Sequence, residues 1–319
     1  MIYLPKARRI IILLLGGAAL ITGTLGYIRY FATFRFWIPP PIGTGAAGPP
    51  VSKGPFQRVW SERAVVLLGV GDSVTAGFGA SPGHSYFDML VTNPKGDFLE
   101  LEGICLRSVL PKLRPVNLAV SGSDSLQHLS DQIGPLEPFP ADTFGIVVMT
   151  SGGNDLIHWY GRGAPKEGAM YGASIEQAQP WIDNFRVRLG ETLDRLTASF
   201  PGGCRIFLAN IYDPSDGVGD PAAAGLPPWP DMLKVHDAYN RIIEEAAAAR
   251  ENAHMVDIHS EFLGHGVHCV QWWRPHYRRD DPHYWYFSNL EDPNDRGYDA
   301  LRRAFLIEIQ KVVEPALSK

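Results

Sequence analysis

The chain has 319 residues, 45% hydrophobic, 20% charged and 11% aromatic, a globular composition that excludes a disordered, collagen-like or coiled-coil protein. Lys plus Arg number 29 against 34 Asp plus Glu, a formal net charge of −5. That balance argues against a nucleic-acid partner, whose phosphates need a clustered positive field. The cysteines Cys105, Cys204 and Cys269 have no metal-site spacing, and their odd number excludes a fully paired intrachain set of disulfides.

Ile10–Ile28 is a run of 19 uncharged residues, preceded by Lys6, Arg8 and Arg9 and followed by Arg29 and Arg35. As a helix it rises about 28 Å, close to the hydrocarbon thickness of a bilayer. No Ala-x-Ala cleavage site follows it, so the run reads as a retained transmembrane anchor rather than a signal peptide. Tyr27, Tyr30, Phe31, Phe34, Phe36 and Trp37 supply aromatics of the kind found at membrane interfaces. The tighter basic cluster at the N-terminus favours a cytoplasmic start and a globular part outside the cytoplasm. Pro39–Pro55 (PPPIGTGAAGPPVSKGP) is Pro- and Gly-rich and reads as a tether. The expected organisation is a basic N-terminus 1–9, an anchor 10–28, a tether 29–55 and one folded domain 56–319.

In that domain, apolar runs at Ala64–Gly71, Pro115–Val120, Phe144–Thr150, Cys204–Ile211 and Ala253–Ile258 predict five strands. Helical spacing marks Ile175–Phe200, Met232–Arg250 and Asp295–Val313 between and after them. Strands alternating with helices predict a doubly wound parallel sheet, whose ligands bind beyond the carboxyl ends of its strands. The residues there are Gly71-Asp72-Ser73, then Ser121-Gly122-Ser123, then Gly152-Gly153-Asn154-Asp155. A Ser on a strand-to-helix turn presents its hydroxyl at the sheet edge. A Gly lets backbone N–H groups approach a ligand, and an Asn amide can donate to an oxyanion.

GDSVTAG, NLAVSG and GGND occur in that order, each after a predicted strand, and together they resemble the first three blocks of the GDSL/SGNH hydrolase family. The resemblance covers Val65–Val313. It implies a three-layer α/β/α flavodoxin-like fold with a five-stranded parallel sheet, and ester hydrolysis through a catalytic serine with no metal or organic cofactor. By position Ser73 resembles the nucleophile. The Ser73 N–H, the Gly122 N–H and the Asn154 side chain resemble the oxyanion hole.

The last block departs from the family. Its Pro-Asn and Gly-Tyr frame is matched by Pro293-Asn294 and Gly297-Tyr298, but Asp292 stands where the family's His is expected and Asn289 where its Asp is expected. Asp280-Asp281-Pro282-His283, just upstream, is itself an Asp-x-x-His. His283 is therefore the expected general base and Asp280 its orienting carboxylate, with Asp281 or Asp292 as alternatives for the latter. His265, His268 and His276 are further candidates in the same aromatic-rich loop, which is expected to form a pocket or lid over Ser73. Asp213, Asp216 and Asp220 are spaced as a turn or a calcium loop, and the turn is preferred. The expected activity is that of a membrane-anchored, extracytoplasmic serine esterase acting on an O-acetyl sugar, a lipid ester or a small acyl ester. Transfer of the acyl group to a sugar hydroxyl, or a degenerate binding module, are the rival expectations.

Overall fold

The computed structural model describes residues 6–33 and 41–317. Five strands, β1 (Val65–Val70), β2 (Leu113–Asn117), β3 (Phe144–Met149), β4 (Cys204–Ala209) and β5 (Ala253–Val256), form one parallel sheet in the order β2-β1-β3-β4-β5. The strands are apolar throughout because both faces are covered. Val65 and Leu67 of β1, Ile146 and Val148 of β3, and Phe207 of β4 pack on the helices Tyr86–Val91 and Asp295–Leu317. Their alternates Val66, Leu68, Val147, Met149, Ile206 and Leu208 pack on the helices Ile175–Ala198 and Met232–Ala248. This is the three-layer α/β/α arrangement expected from the sequence.

The second strand lies two residues earlier than its apolar run predicts. It is an edge strand with largely exposed residues, so it tolerates Pro115, and Val120 belongs instead to the turn that follows. No cysteine forms a disulfide, and all three are buried.

A 28-residue helix, α1 (Lys6–Thr33), carries the apolar run of the N-terminus. Among the described residues it is the one helix long and apolar enough to cross a membrane, and that span is nowhere buried against the domain. Phe34, Arg35, Phe36, Trp37, Pro39 and Pro40 lie outside the described residues. The rest of the expected tether does not hang free. Tyr284 N–H donates to Pro41 O, Arg296 Nη1 donates to Thr44 O and Gly45 O, and Ala47 N–H donates to Asp299 Oδ2 at 3.0 Å. Ala47 is buried, and Gly48 lies so close to Ala300 that a Cβ would come 2.7 Å from its Cα. Glycine and alanine let this strap press its backbone onto the first turns of the C-terminal helix, where buried Arg296 and Asp299 satisfy its polar groups.

Candidate active site

At the end of β1 the chain turns sharply into the short helix α2 (Ser73–Ala76). The turn depends on Gly71, whose φ of 133° is open to glycine and whose Cβ would meet Thr150 O at 2.1 Å. Asp72 caps α2. Its Oδ1 accepts the Val74 N–H at 3.1 Å and the Thr150 hydroxyl at 2.7 Å, which ties the ends of β1 and β3 together. Ser73 is thereby the first residue of α2, at the carboxyl edge of the sheet.

Gly122 lies in the turn after β2, at φ 84°, with Ser123 N–H closing that turn on Val120 O. The turn is joined to Gly71 through the Ser123 hydroxyl, which donates to Gly71 O at 3.0 Å. Asn154, after β3, donates Nδ2 to Ser123 O at 2.9 Å, which leaves its second amide hydrogen available. Ser73, Gly122 and Asn154 are thus brought together at one strand edge. Neither the Ser73 N–H nor the Gly122 N–H donates to a protein group among the described residues.

Behind this turn lies a buried polar network that the sequence did not suggest. Gln132 brackets Gly71, accepting its N–H at 2.9 Å and donating to its carbonyl at 2.8 Å. His128 bridges the Ser123 and Ser151 hydroxyls, each at 3.0 Å, and burial pushes its pKa down to about 4, so the ring is neutral at pH 7.

Asp280 and His283 are not brought to Ser73. The His283 Nδ1 pairs with Asp281, and the far edge of the ring is pressed under Gly43 of the strap. Asp281 also holds Arg296 through both oxygens, at 2.7 and 2.6 Å. The strap and the C-terminal helix therefore claim this segment, and Asp280 is exposed at a separate groove. The other loop histidines are engaged elsewhere: His265 stacks on Trp285, His268 pairs with Asp220, and His276 packs against Gly217. Tyr284, Trp285 and Tyr286 are buried in the core rather than forming a cover over Ser73.

The carboxyl group beside Ser73 is that of Asp292. Asn289 Nδ2 donates to Asp292 Oδ2 at 2.7 Å, and Asp292 N–H donates back to Asn289 Oδ1 at 3.2 Å. The remaining oxygen, Oδ1, has no hydrogen-bond partner among the described residues. Burial raises the Asp292 pKa, opposed by the neighbouring Ser73 hydroxyl and by Asn289. With Oδ1 unpartnered, the two groups are adjacent with no hydrogen bond of ordinary geometry between them. Two further carboxyls share the cleft. Burial pushes Asp72 up to about 6 and Glu291 up to about 7, each with a smaller contribution from the negative charge of Asp292. His236 is the one histidine lining the cleft among the described residues, but its Nε2 donates to Ile211 O and its Nδ1 faces Asp237.

The cleft at Ser73 is partly open to solvent, and Leu156, Ile157, Ile211, Trp229 and Met232 form its apolar wall. A neighbouring apolar pocket shares Ile157, Trp229 and Met232 with it and continues to Leu226 and Val267. No group of three His, Cys, Asp or Glu among the described residues is arranged to hold a metal ion. The Asp213 and Asp216 carboxylates accept backbone N–H groups, at 2.7 to 2.9 Å, in a turn that buttresses the 264–268 loop.

A serine on a strand-to-helix turn, at the carboxyl edge of a parallel sheet and beside unclaimed N–H donors, is the arrangement that acyl transfer through a serine requires, and the family match makes it that of a hydrolase acting on ester bonds. The chain belongs to the GDSL-like lipase/acylhydrolase family, whose sequence profile matches residues 70–300. Solved structures similar to it include an acetylxylan esterase from Geobacillus stearothermophilus, at 19% identity and TM-score 0.47 over 78% of this chain and 94% of that one. An extracellular lipase from Streptomyces rimosus aligns at 17% identity and TM-score 0.44, over 76% of this chain and 98% of that one. A phospholipase A1 from Streptomyces albidoflavus aligns at 16% identity and TM-score 0.44, over 78% and 99%. Comparison with curated proteins gives no match.

Proposed function

We propose that the protein is a membrane-anchored esterase, working outside the cytoplasm on carboxylic esters with an apolar acyl group, through an acyl-Ser73 intermediate and with Asp292 as general base. The single observation that carries this reading is the Ser73–Asp292–Asn289 array. Asn289 occupies one carboxylate oxygen, the other has no hydrogen-bond partner among the described residues, and the carboxyl group as a whole neighbours the Ser73 hydroxyl. Ser73 Oγ attacks the ester carbonyl as its proton passes to Asp292. Charge develops on the carbonyl oxygen among the Ser73 N–H, the Gly122 N–H and the Asn154 amide. Collapse expels the alcohol, which takes the proton from Asp292. Water then attacks the acyl group with Asp292 again accepting a proton, and Ser73 leaves as the hydroxyl. A carboxylate is a weaker base than imidazole, and burial offsets part of that deficit by raising its pKa.

The apolar wall and its continuation favour a lipid or other apolar acyl ester over an acetyl group. The anchor reading rests on α1, and its orientation on the basic residues ahead of it. A second reading, a non-catalytic binding module, draws on the fact that no histidine among the described residues is hydrogen-bonded to Ser73. A fluorophosphonate probe separates the two: the proposal expects covalent labelling of the wild type and none of Ser73→Ala. A wild type that is neither labelled nor active on medium-chain nitrophenyl esters would establish the binding module instead.

A further inference from the structure

The loop after the buried His268 carries Gln271-Trp272-Trp273-Arg274-Pro275-His276-Tyr277-Arg278-Arg279. Trp272 is 73% exposed and Trp273 is 42% exposed, and the two rings meet edge to face. Indole groups this exposed beside several arginines are unusual on a soluble face, because tryptophan normally buries its ring. They are the ordinary chemistry of a bilayer interface, where indoles sit at headgroup depth and guanidinium groups meet anionic lipid.

The chain's own connectivity places this loop near a membrane. Pro41, fixed by Tyr284, is only eight residues beyond Thr33, the end of α1. Eight residues reach at most roughly 29 Å. Gly48 and Pro49 of the strap then line one groove with Tyr277, Arg278 and Arg279 and with the carboxyl groups of Glu261, Asp280 and Asp281, the last of them paired with Arg296. Arg278 spends its donors on Leu263 O and Ser260 O and keeps its charge at the surface. On its other side, Arg274 lies 3.9 Å from Asp220, which opens the turn Pro221–Ala224 approached by α1. The loop thus lies between the strap that follows α1 and the turn that α1 approaches.

We infer that Trp272 and Trp273, with Arg274, Arg278 and Arg279, dock the domain on the anionic lipid surface of the membrane that holds α1. This rests on the anchor reading of α1 and adds a second, lateral attachment that fixes how the domain faces the bilayer.

The test uses the full chain reconstituted in vesicles. The native cysteines are buried, so a single cysteine introduced by Trp272→Cys takes an environment-sensitive fluorophore selectively. Glu62→Cys, at the amino end of the sheet, is the control. Vesicles are made from phosphatidylcholine alone and from an equimolar mixture with phosphatidylglycerol, each with a headgroup-depth spin-labelled lipid as quencher. The expected result is a blue shift and quenching at position 272 in the mixed vesicles, weaker on phosphatidylcholine alone, with neither at position 62. Flotation and carbonate extraction report the anchor independently. A chain that stays embedded through carbonate while the 272 label remains water-exposed overturns the docking and leaves the anchor intact. A chain released by carbonate overturns both. Equal quenching on the two lipid mixtures overturns the role given to the arginines. Protection of the label by a soluble oligosaccharide, with no effect of vesicles, overturns the lipid surface in favour of a glycan platform.

Discussion

Asn289 and Asp292 hold each other through two hydrogen bonds, so the carboxylate has one orientation and one bare oxygen. If that oxygen takes the Ser73 proton, Asp292→Asn should cut kcat by about 10²–10⁴-fold, the usual worth of a general base, with KM little changed. The wild-type rate should rise with pH as Asp292 loses its proton, and the variant should lose that acid limb. His283→Ala, by contrast, should keep kcat near the wild-type value, because its ring serves Asp281 and the strap. If the second amide hydrogen of Asn154 donates to the developing oxyanion as proposed, Asn154→Ala should lower kcat by about 10²–10³-fold. Steady-state kinetics on a soluble ester checks all three. The placement of Ser73, Gly122 and Asn154 at the sheet edge was legible in the sequence because each comes just after an apolar run, where the topology of a parallel sheet gathers chemistry. Asp292 was legible only as a mismatch in the Pro-Asn and Gly-Tyr frame. The mismatch reads as a loss and points to a histidine upstream, whereas the structure sets Asp292, held by Asn289, beside Ser73. His128 and Gln132 carried no signal, since a neutral buried histidine and a buried glutamine look in sequence like any others.

The strap shows how composition misleads at the scale of an element. Residues 41–55 are Pro- and Gly-rich, and such a segment builds no core of its own, which suggested a free tether. Its docking is supplied by the partner helix, through Arg296 and Asp299, and that complementarity is invisible in the segment itself. Close packing at Gly48 makes the docking testable. A side chain there would meet Ala300 backbone and would also be held at φ 87°, so Gly48→Val should unseat the strap. Limited proteolysis should then cut within residues 41–51 faster than in the wild type, while turnover of a soluble ester is unchanged. Strand and helix existence was largely readable, because period and length discriminate well in long apolar segments. The second strand shifted because an exposed edge strand has little hydrophobic pattern to read.

Across the whole molecule the cleft gathers carboxyl groups that are more easily protonated than in an unfolded chain. Asp72 moves from 3.8 to about 6, and Glu291 from 4.5 to about 7. A group whose folded pKa is raised binds its proton more tightly in the native state, so its contribution to stability is full at low pH and is lost as pH rises through the folded value. Asp72 should therefore make the thermal midpoint fall as pH rises from 3.8 to about 6. Asp72→Asn, which keeps an oxygen to cap Val74 and accept from Thr150, should show a smaller fall over the same window by differential scanning fluorimetry. Burial of all three cysteines has its own consequence. Cys204 lies in the sheet layer packed by the Ile175–Ala198 helix, Cys269 lies in the opposite core, and Cys105 opens a short helix near β2. Each thiol can be alkylated only when its own neighbourhood opens, so the order in which the three sulfurs react with iodoacetamide under native conditions maps which part of the molecule loosens first.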